Sequence, residues 1–258
     1  MPSQELPKVS KFEFEAIGFI ETCFKERFGT PRQPALVPSS WGTLRLRPEL
    51  NLSDALEGLE DFSHIWLVFV FHQNTNKGIK TKVHPPRLDG ASTGLFATRT
   101  PHRPNPIGLS AVRLERIEGN MLFLSGVDLL DGTPILDIKP YLPSSDCVPT
   151  ASGGWTDSKP TRTVRVEFSS EAQTDLSRFL KARASSAQQA IREILELDPR
   201  PVFYKGTPEN PNPYTDVYGF RFDNFNVVYR MSSSPEGAST VAIATVTKIQ
   251  PWQEFRRG

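Results

Sequence analysis

The chain has 258 residues, a formal net charge of +1, 38% hydrophobic and 10% aromatic residues, the composition of an ordinary globular protein with one large domain or a main domain and an appendage. Near-neutrality does not itself point to nucleic acid, although Lys and Arg gathered on one face would leave that open. No apolar run approaches the ~18 residues of a membrane helix, the opening MPSQELPKVSKFEFE lacks the apolar stretch of a secretory signal, and Cys23 and Cys147 are too few for a disulfide framework; a reducing cytoplasm and no membrane partner are expected.

In chain order, Phe12–Ile17 alternates apolar and polar, the period of a half-buried strand, and Thr43–Arg47 does the same. A short helix is expected near Ser53–Leu59, with Ser53 as its N-cap. Ile65–Phe71 is apolar on both faces and reads as a central buried strand. Further strands are expected at Gly94–Thr98, Leu109–Ile117 and Met121–Gly126, with Gly119-Asn120 as a hairpin turn. A last hairpin would pair Val127–Leu130 with Ile135–Ile138 across Asp131-Gly132-Thr133-Pro134. Residues 142–162, rich in Pro, Ser, Gly and Thr, read as a linker. Beyond it Thr163–Phe168 reads as a strand, Ser170–Ala184 and Ala187–Leu197 as helices, and 216–231 and 239–249 as strands. The expected architecture is therefore mainly β: an N-terminal β-barrel-like domain over 1–141, the linker, and a small α+β domain over 163–258.

The sequence carries no G-x-G-x-x-G, P-loop, G-x-S-x-G or H-E-x-x-H. Its four histidines, His64, His72, His84 and His102, show no helical pair spacing, so no metal is expected. The stretch from Gly94 to Ser110 is the informative one. Pro101, Pro104 and Pro106 fix a loop from which Arg99 and Arg103 project, and a preset loop loses less entropy on meeting a ligand. The planar guanidinium fork suits a carboxylate or phosphate. The same loop is also what a rigid turn with two solvated arginines looks like. Pro31-Arg32-Gln33-Pro34 is a second proline-bounded polar step, His72-Gln73 follows the most apolar strand, and Asp131-Gly132-Thr133-Pro134 has tight-turn chemistry.

Pro31-Arg32-Gln33, the apolar strand running into His72-Gln73, Phe96-Ala-Thr-Arg-x-x-x-Arg-Pro-Asn-Pro-Ile-Gly108 and Asp131-Gly-Thr-Pro-x-x-Asp-Ile-Lys-Pro-Tyr141 occur in this order and spacing in one family. The chain resembles the tRNA threonylcarbamoyladenosine N6-methyltransferases (TrmO, TsaA-like), from about Phe12 to Tyr229. The resemblance implies a non-Rossmann β-barrel that uses S-adenosylmethionine to methylate N6 of N6-threonylcarbamoyladenosine beside the tRNA anticodon, as a homodimer. It places cofactor contacts on Pro31, Arg32, Gln33, His72, Gln73, Arg99, Leu109, Asp131, Gly132, Thr133 and Pro134. Arg103 and Lys139 are candidates to meet the threonyl carboxylate, Arg200 and Lys205 to meet tRNA, and Asp137, Tyr141 and His72 to accept the proton. In the C-terminal part Phe203, Tyr204, Val228 and Tyr229 depart from the family's usual residues, which bears on tRNA contacts rather than on the cofactor. Two rival functions use the same features: a non-catalytic RNA-binding module, and a small-molecule methyltransferase on the same barrel.

Overall fold

A computed structural model describes residues 11–74, 78–85, 88, 90–157, 164–200, 216–236 and 239–252. The strands of the first part are β1 (Gly18–Thr22), β2 (Trp41–Leu46), β3 (His64–Val70), β4 (Lys82–Val83), β5 (Thr93–Gly94), β6 (Ile107–Glu118), β7 (Met121–Ser125) and β8 (Thr133–Pro140). Six of them close an antiparallel barrel in the order β1-β2-β7-β6-β3-β8, while β4 and β5 form a separate two-stranded ribbon. Alternation along the strands fills the interior: Ile20, Leu44, Leu46, Ile65, Leu67, Val112, Leu122, Leu124 and Ile135 are buried. Closure leaves no barrel strand with an unpaired edge.

Connectivity decides where polar groups end up. In the ring, β7 and β8 lie on opposite sides, so residues 126–132 must cross the barrel mouth to join them. The expected hairpin of Val127–Leu130 with Ile135–Ile138 is therefore not formed. Instead β8 pairs with β1 and β3, and the crossing segment satisfies its backbone with the β1–β2 loop: Ala35 N donates to Gly126 O (3.0 Å) and Gly126 N to Ser40 O (3.1 Å), Ser40 Oγ to Val127 O (3.0 Å) and Thr22 Oγ1 to Leu129 O (3.0 Å).

Other expectations shift for local reasons. Phe12–Ile17 is not a strand; Phe12 and Phe14 are exposed, and pairing begins at Gly18. The helix near Ser53–Leu59 is replaced by 3-10 turns at Asp54–Leu56 and Leu59–Asp61, interrupted by Gly58 at φ 78°, and Ser53 caps nothing. β3 buries one face only; Trp66, Val68 and Val70 are half-exposed on the barrel's outside. The Gly94–Thr98 strand shrinks to β5, followed by a 3-10 turn at Leu95–Ala97. The β6–β7 hairpin turns at Gly119-Asn120, as its chemistry predicts.

Residues 142–157 are held by the barrel rather than swinging clear of it. They include α1 (Pro143–Asp146) and a 3-10 turn at Gly154–Thr156. Trp66 Nε1 donates to Asp146 Oδ2 (2.9 Å), and Trp155 Nε1 donates to Ala97 O (2.8 Å). The second part has β9 (Arg165–Phe168), α2 (Ser170–Leu180), α3 (Ala184–Glu196), β10 (Val217–Phe222), β11 (Phe225–Glu236) and β12 (Ser239–Pro251), with sheet order β10-β11-β12-β9. Ser169 caps α2 by accepting from Ala172 N (3.1 Å), and the helix expected to run to Ala184 stops where Lys181 takes φ 45°. The β1–β2 loop joins this sheet to the barrel. Asp223 N donates to Cys23 O (2.7 Å), Trp41 meets Phe222 edge-on at 5.2 Å, and one buried apolar cluster runs through both parts.

Candidate active site at the barrel mouth

Antiparallel closure brings the ends of β1 and β3 and the starts of β6 and β8 to one mouth, and the segments that leave these ends carry the singled-out residues. Their side chains hold one another. Arg99 Nη1 donates to Gln33 Oε1 (2.8 Å), tying the proline-rich loop to the Pro31-Arg32-Gln33 step. Arg27 Nη2 donates to Gln73 O. Thr133 Oγ1 lies 3.4 Å from His72 Nδ1 and donates its own proton to Leu130 O at 2.6 Å. Burial lowers the His72 pKa and Arg27 lowers it further, while Asp131 and a hydrogen bond to the Val70 backbone oppose.

Asp131 is fixed twice. Thr22 N donates to its Oδ1 at 2.8 Å, and Lys25 Nζ pairs with the same oxygen at 2.8 Å. Gly132 follows at φ 74°, a left-handed turn conformation that favours glycine. At the start of β6 a Cβ on Gly108 would sit 2.3 Å from the Phe69 ring, so glycine there lets that ring fill the barrel beneath the mouth. Pro31 is buried and Arg32 exposed. Partial desolvation lowers the Arg32 pKa, while Asp198 of the second part draws it up. Leu109, 52% exposed, faces outward on β6 opposite Val68. Pro134, the second residue of β8, lies opposite Phe19.

Other expected residues stand apart. Asp137, Lys139 and Tyr141 lie progressively farther along or beyond β8, about 13 to 26 Å of strand from the Thr133 end. Asp137 pairs with Lys139 (2.7 Å), and Tyr141 packs on Trp66 with ring centroids 5.5 Å apart. Arg103 braces its own loop: Nη1 donates to Thr98 O (2.8 Å) and the guanidinium sits 5.6 Å from the centre of the exposed Phe96 ring. Arg200 is turned inward, its side chain 11% exposed and paired with Asp198 at 2.9 Å. Lys205, with Phe203 and Tyr204, lies outside the described residues.

One group at the mouth was not singled out from sequence: Asp128, on the crossing segment. Its Oδ1 is shut off from solvent and has no hydrogen-bond partner among the described residues. Burial pushes the carboxyl up to about 6, against the Ser110 hydroxyl and the Arg99 charge, which favour ionisation. A lone aspartate in Gly-Val-Asp-Leu-Leu carried one available signal, a charged residue inside an apolar run.

Comparison with known proteins bears on this constellation. The tRNA-methyltransferase O N-terminal domain matches residues 19–147, and the TrmO C-terminal domain matches 161–249. An Escherichia coli (strain K12) tRNA (adenine(37)-N6)-methyltransferase is 42% identical over 231 residues, 88% of this chain and 96% of the relative. A Pseudomonas aeruginosa protein whose name refers to S-adenosylmethionine-dependent methyl transfer is 48% identical over 193 residues, 74% of this chain and 83% of the relative. The crystal structure of TrmO from Pseudomonas aeruginosa superposes with a TM-score of 0.72 at 35% identity, covering 93% of this chain and 99% of that one. With both domains matched in order and a relative aligned over nearly its whole length, the chain belongs to the tRNA-methyltransferase O family.

Proposed function

We propose that this chain transfers a methyl group from S-adenosylmethionine to N6 of N6-threonylcarbamoyladenosine-37 in tRNA. The observation that carries the reading is the convergence at one barrel mouth of the Gln33–Arg99, Arg27–Gln73 and His72–Thr133 contacts with the doubly held Asp131, in a chain of this family. These residues fit the cofactor. Arg and Gln side chains with turn amides suit its amino-acid end and adenine edge, carboxylates suit its positive charge, and the exposed Leu109 gives apolar cover. When bound, S-adenosylmethionine supplies an electrophilic methyl group on a sulfonium.

The protein's part is placement and a route for the proton. A urea-type N6 is a poor nucleophile because its lone pair is delocalised, so alignment matters more than basicity. Of the three candidate bases, His72 is the one at the mouth, its pKa lowered by burial and by Arg27. Asp137 is held by Lys139 and Tyr141 by Trp66, which gives those two the weaker claim. Arg103, fixed on Thr98 O beside Phe96, is a rigid cation for the threonyl carboxylate, with Phe96 as a ring on which a splayed base stacks. The division of labour follows: barrel residues 1–141 hold the cofactor, and 163–258 help hold the RNA. The exposed Ile107 with half-exposed Val68 and Val70 forms the face for a second copy of the chain, in a cytoplasmic homodimer.

The test compares methyl transfer to tRNA with and without the threonylcarbamoyl group. Turnover on the modified tRNA and near-background rate on the unmodified one is expected, with similar overall tRNA affinity, since phosphate contacts set most of that. Comparable methylation of both would replace this reading with a broader adenosine or small-molecule methyltransferase, and tRNA binding without any cofactor affinity would leave a binding module.

A further inference from the structure

The segment that crosses the barrel mouth carries a carboxyl group whose second oxygen has no hydrogen-bond partner among the described residues. Buried polar atoms in folded proteins are almost always satisfied, so an orphan beside a binding site points to a donor that arrives with the ligand. Asp128 lies at the middle of the crossing, three residues before Asp131. Ser110 beside it is buried and follows Leu109 on β6. The Arg99 guanidinium acts on the carboxyl from the proline-rich loop. The carboxyl on the crossing segment thus feels a cation held on the proline-rich loop at the same mouth. An α-amino acid is the complementary object, because its carboxylate and ammonium share one carbon.

We propose that Asp128 is a further binding residue of this site: its orphaned Oδ1 accepts from the α-ammonium of the methyl donor's amino-acid end, while Arg99 takes the neighbouring carboxylate. This rests on the reading that the mouth binds S-adenosylmethionine. The bond explains why a carboxyl stays buried on a segment whose other side chains, Val127, Leu129 and Leu130, pack into the core. Among the described residues, the charged groups acting on Asp128 reduce to Arg99; Lys25 and Asp131 are paired with each other, and His72 is turned onto Thr133. Entry of an ammonium draws the carboxyl toward ionisation, so binding and deprotonation are linked.

The experiment is calorimetric titration of the full chain and of Asp128→Asn with two ligands. S-adenosylhomocysteine keeps the amino-acid end; 5′-methylthioadenosine keeps the nucleoside and thioether without it. The substitution should weaken S-adenosylhomocysteine by roughly ten- to a hundred-fold and leave 5′-methylthioadenosine within about twofold. In the wild type, affinity for S-adenosylhomocysteine should rise with pH up to about 6 and then level, while that for 5′-methylthioadenosine stays flat. Equal loss for both ligands, loss for neither, or one pH slope shared by both overturns the assignment and leaves the methyl-donor site standing. A wild type that binds neither compound removes the site itself. Should Asp128→Asn not fold, the wild-type pH comparison still decides, and Ser110→Ala should move its slope to higher pH.

Discussion

Two aspartates, one in each part of the molecule, make an instructive pair: Asp198 is buried, and Asp128 is half-buried with one oxygen shut off from solvent. Asp198, in the second part, takes φ 46° and meets Arg200 through both carboxyl oxygens, at 2.9 and 3.2 Å. Its charge is answered from within the chain. Asp128, at the barrel mouth, leaves one oxygen without a partner among the described residues. The difference separates an acid that holds the fold together from one kept ready for something that comes from outside.

The largest effect expected from this contrast is on stability. Asp198→Ala leaves the Arg200 guanidinium buried without its partner and should destabilise the protein by about 3–5 kcal/mol in chemical denaturation. A loss below about 1 kcal/mol would show that solvent or another group takes over, and would erase the distinction. Next comes Arg99→Ala, which should cost about 1.5–3 kcal/mol of cofactor affinity by calorimetry with little change in melting temperature of the unliganded protein. Arg103→Ala should leave that affinity nearly intact; equal losses would mean that both arginines serve the cofactor.

Asp128→Asn should do the opposite of Asp198→Ala. A carboxyl raised to about 6 in the folded state, against 3.8 ordinarily, binds more protons folded than unfolded between those values. Wild-type stability from this group is therefore full below about 3.8 and is lost as pH rises through about 6. At pH 7.5 the neutral amide should be the more stable by on the order of 1–3 kcal/mol, with the gap closing as pH falls through that window. Denaturation curves at pH 7.5 and 4.5 check both size and sign. The smallest effect belongs to Tyr229→Phe. The Tyr229 hydroxyl is buried and has no partner among the described residues, so its removal should be neutral or stabilising by about 1 kcal/mol.

The sequence showed the strands of the barrel well wherever alternation and turn chemistry agreed, as at Leu109–Ile117, Gly119-Asn120 and Met121–Gly126. It misled where pairing partners decide. Phe12–Ile17 has strand periodicity, yet only its last residue, Ile17, makes backbone bonds to neighbouring chain, and Val127–Leu130 looks like half a hairpin until barrel closure sends β8 to the far side of the ring. The motif residues at the mouth were readable because proline, arginine and glycine there have local reasons for their places. Asp128 was not, because its meaning comes from Arg99 and Ser110, 29 and 18 positions away in sequence. Arg200 is expected from sequence to meet tRNA, since nothing in Asp-Pro-Arg-Pro reveals that the guanidinium turns inward onto Asp198.

The β1–β2 loop belongs to both hydrophobic cores at once: Phe24 bridges to Phe222, and Glu26 accepts from Arg221 N at 2.7 Å. Cutting the chain between the matched domains would therefore not release an independent barrel. It would uncover Cys23, Phe24 and Trp41 as a sticky surface and remove the scaffold on which Pro31-Arg32-Gln33 is strung. Melting should accordingly be a single cooperative transition, and a fragment ending near residue 150 should be aggregation-prone and poor at binding cofactor. Deletion analysis of such an enzyme would then mistake a loss of scaffold for a loss of RNA contact.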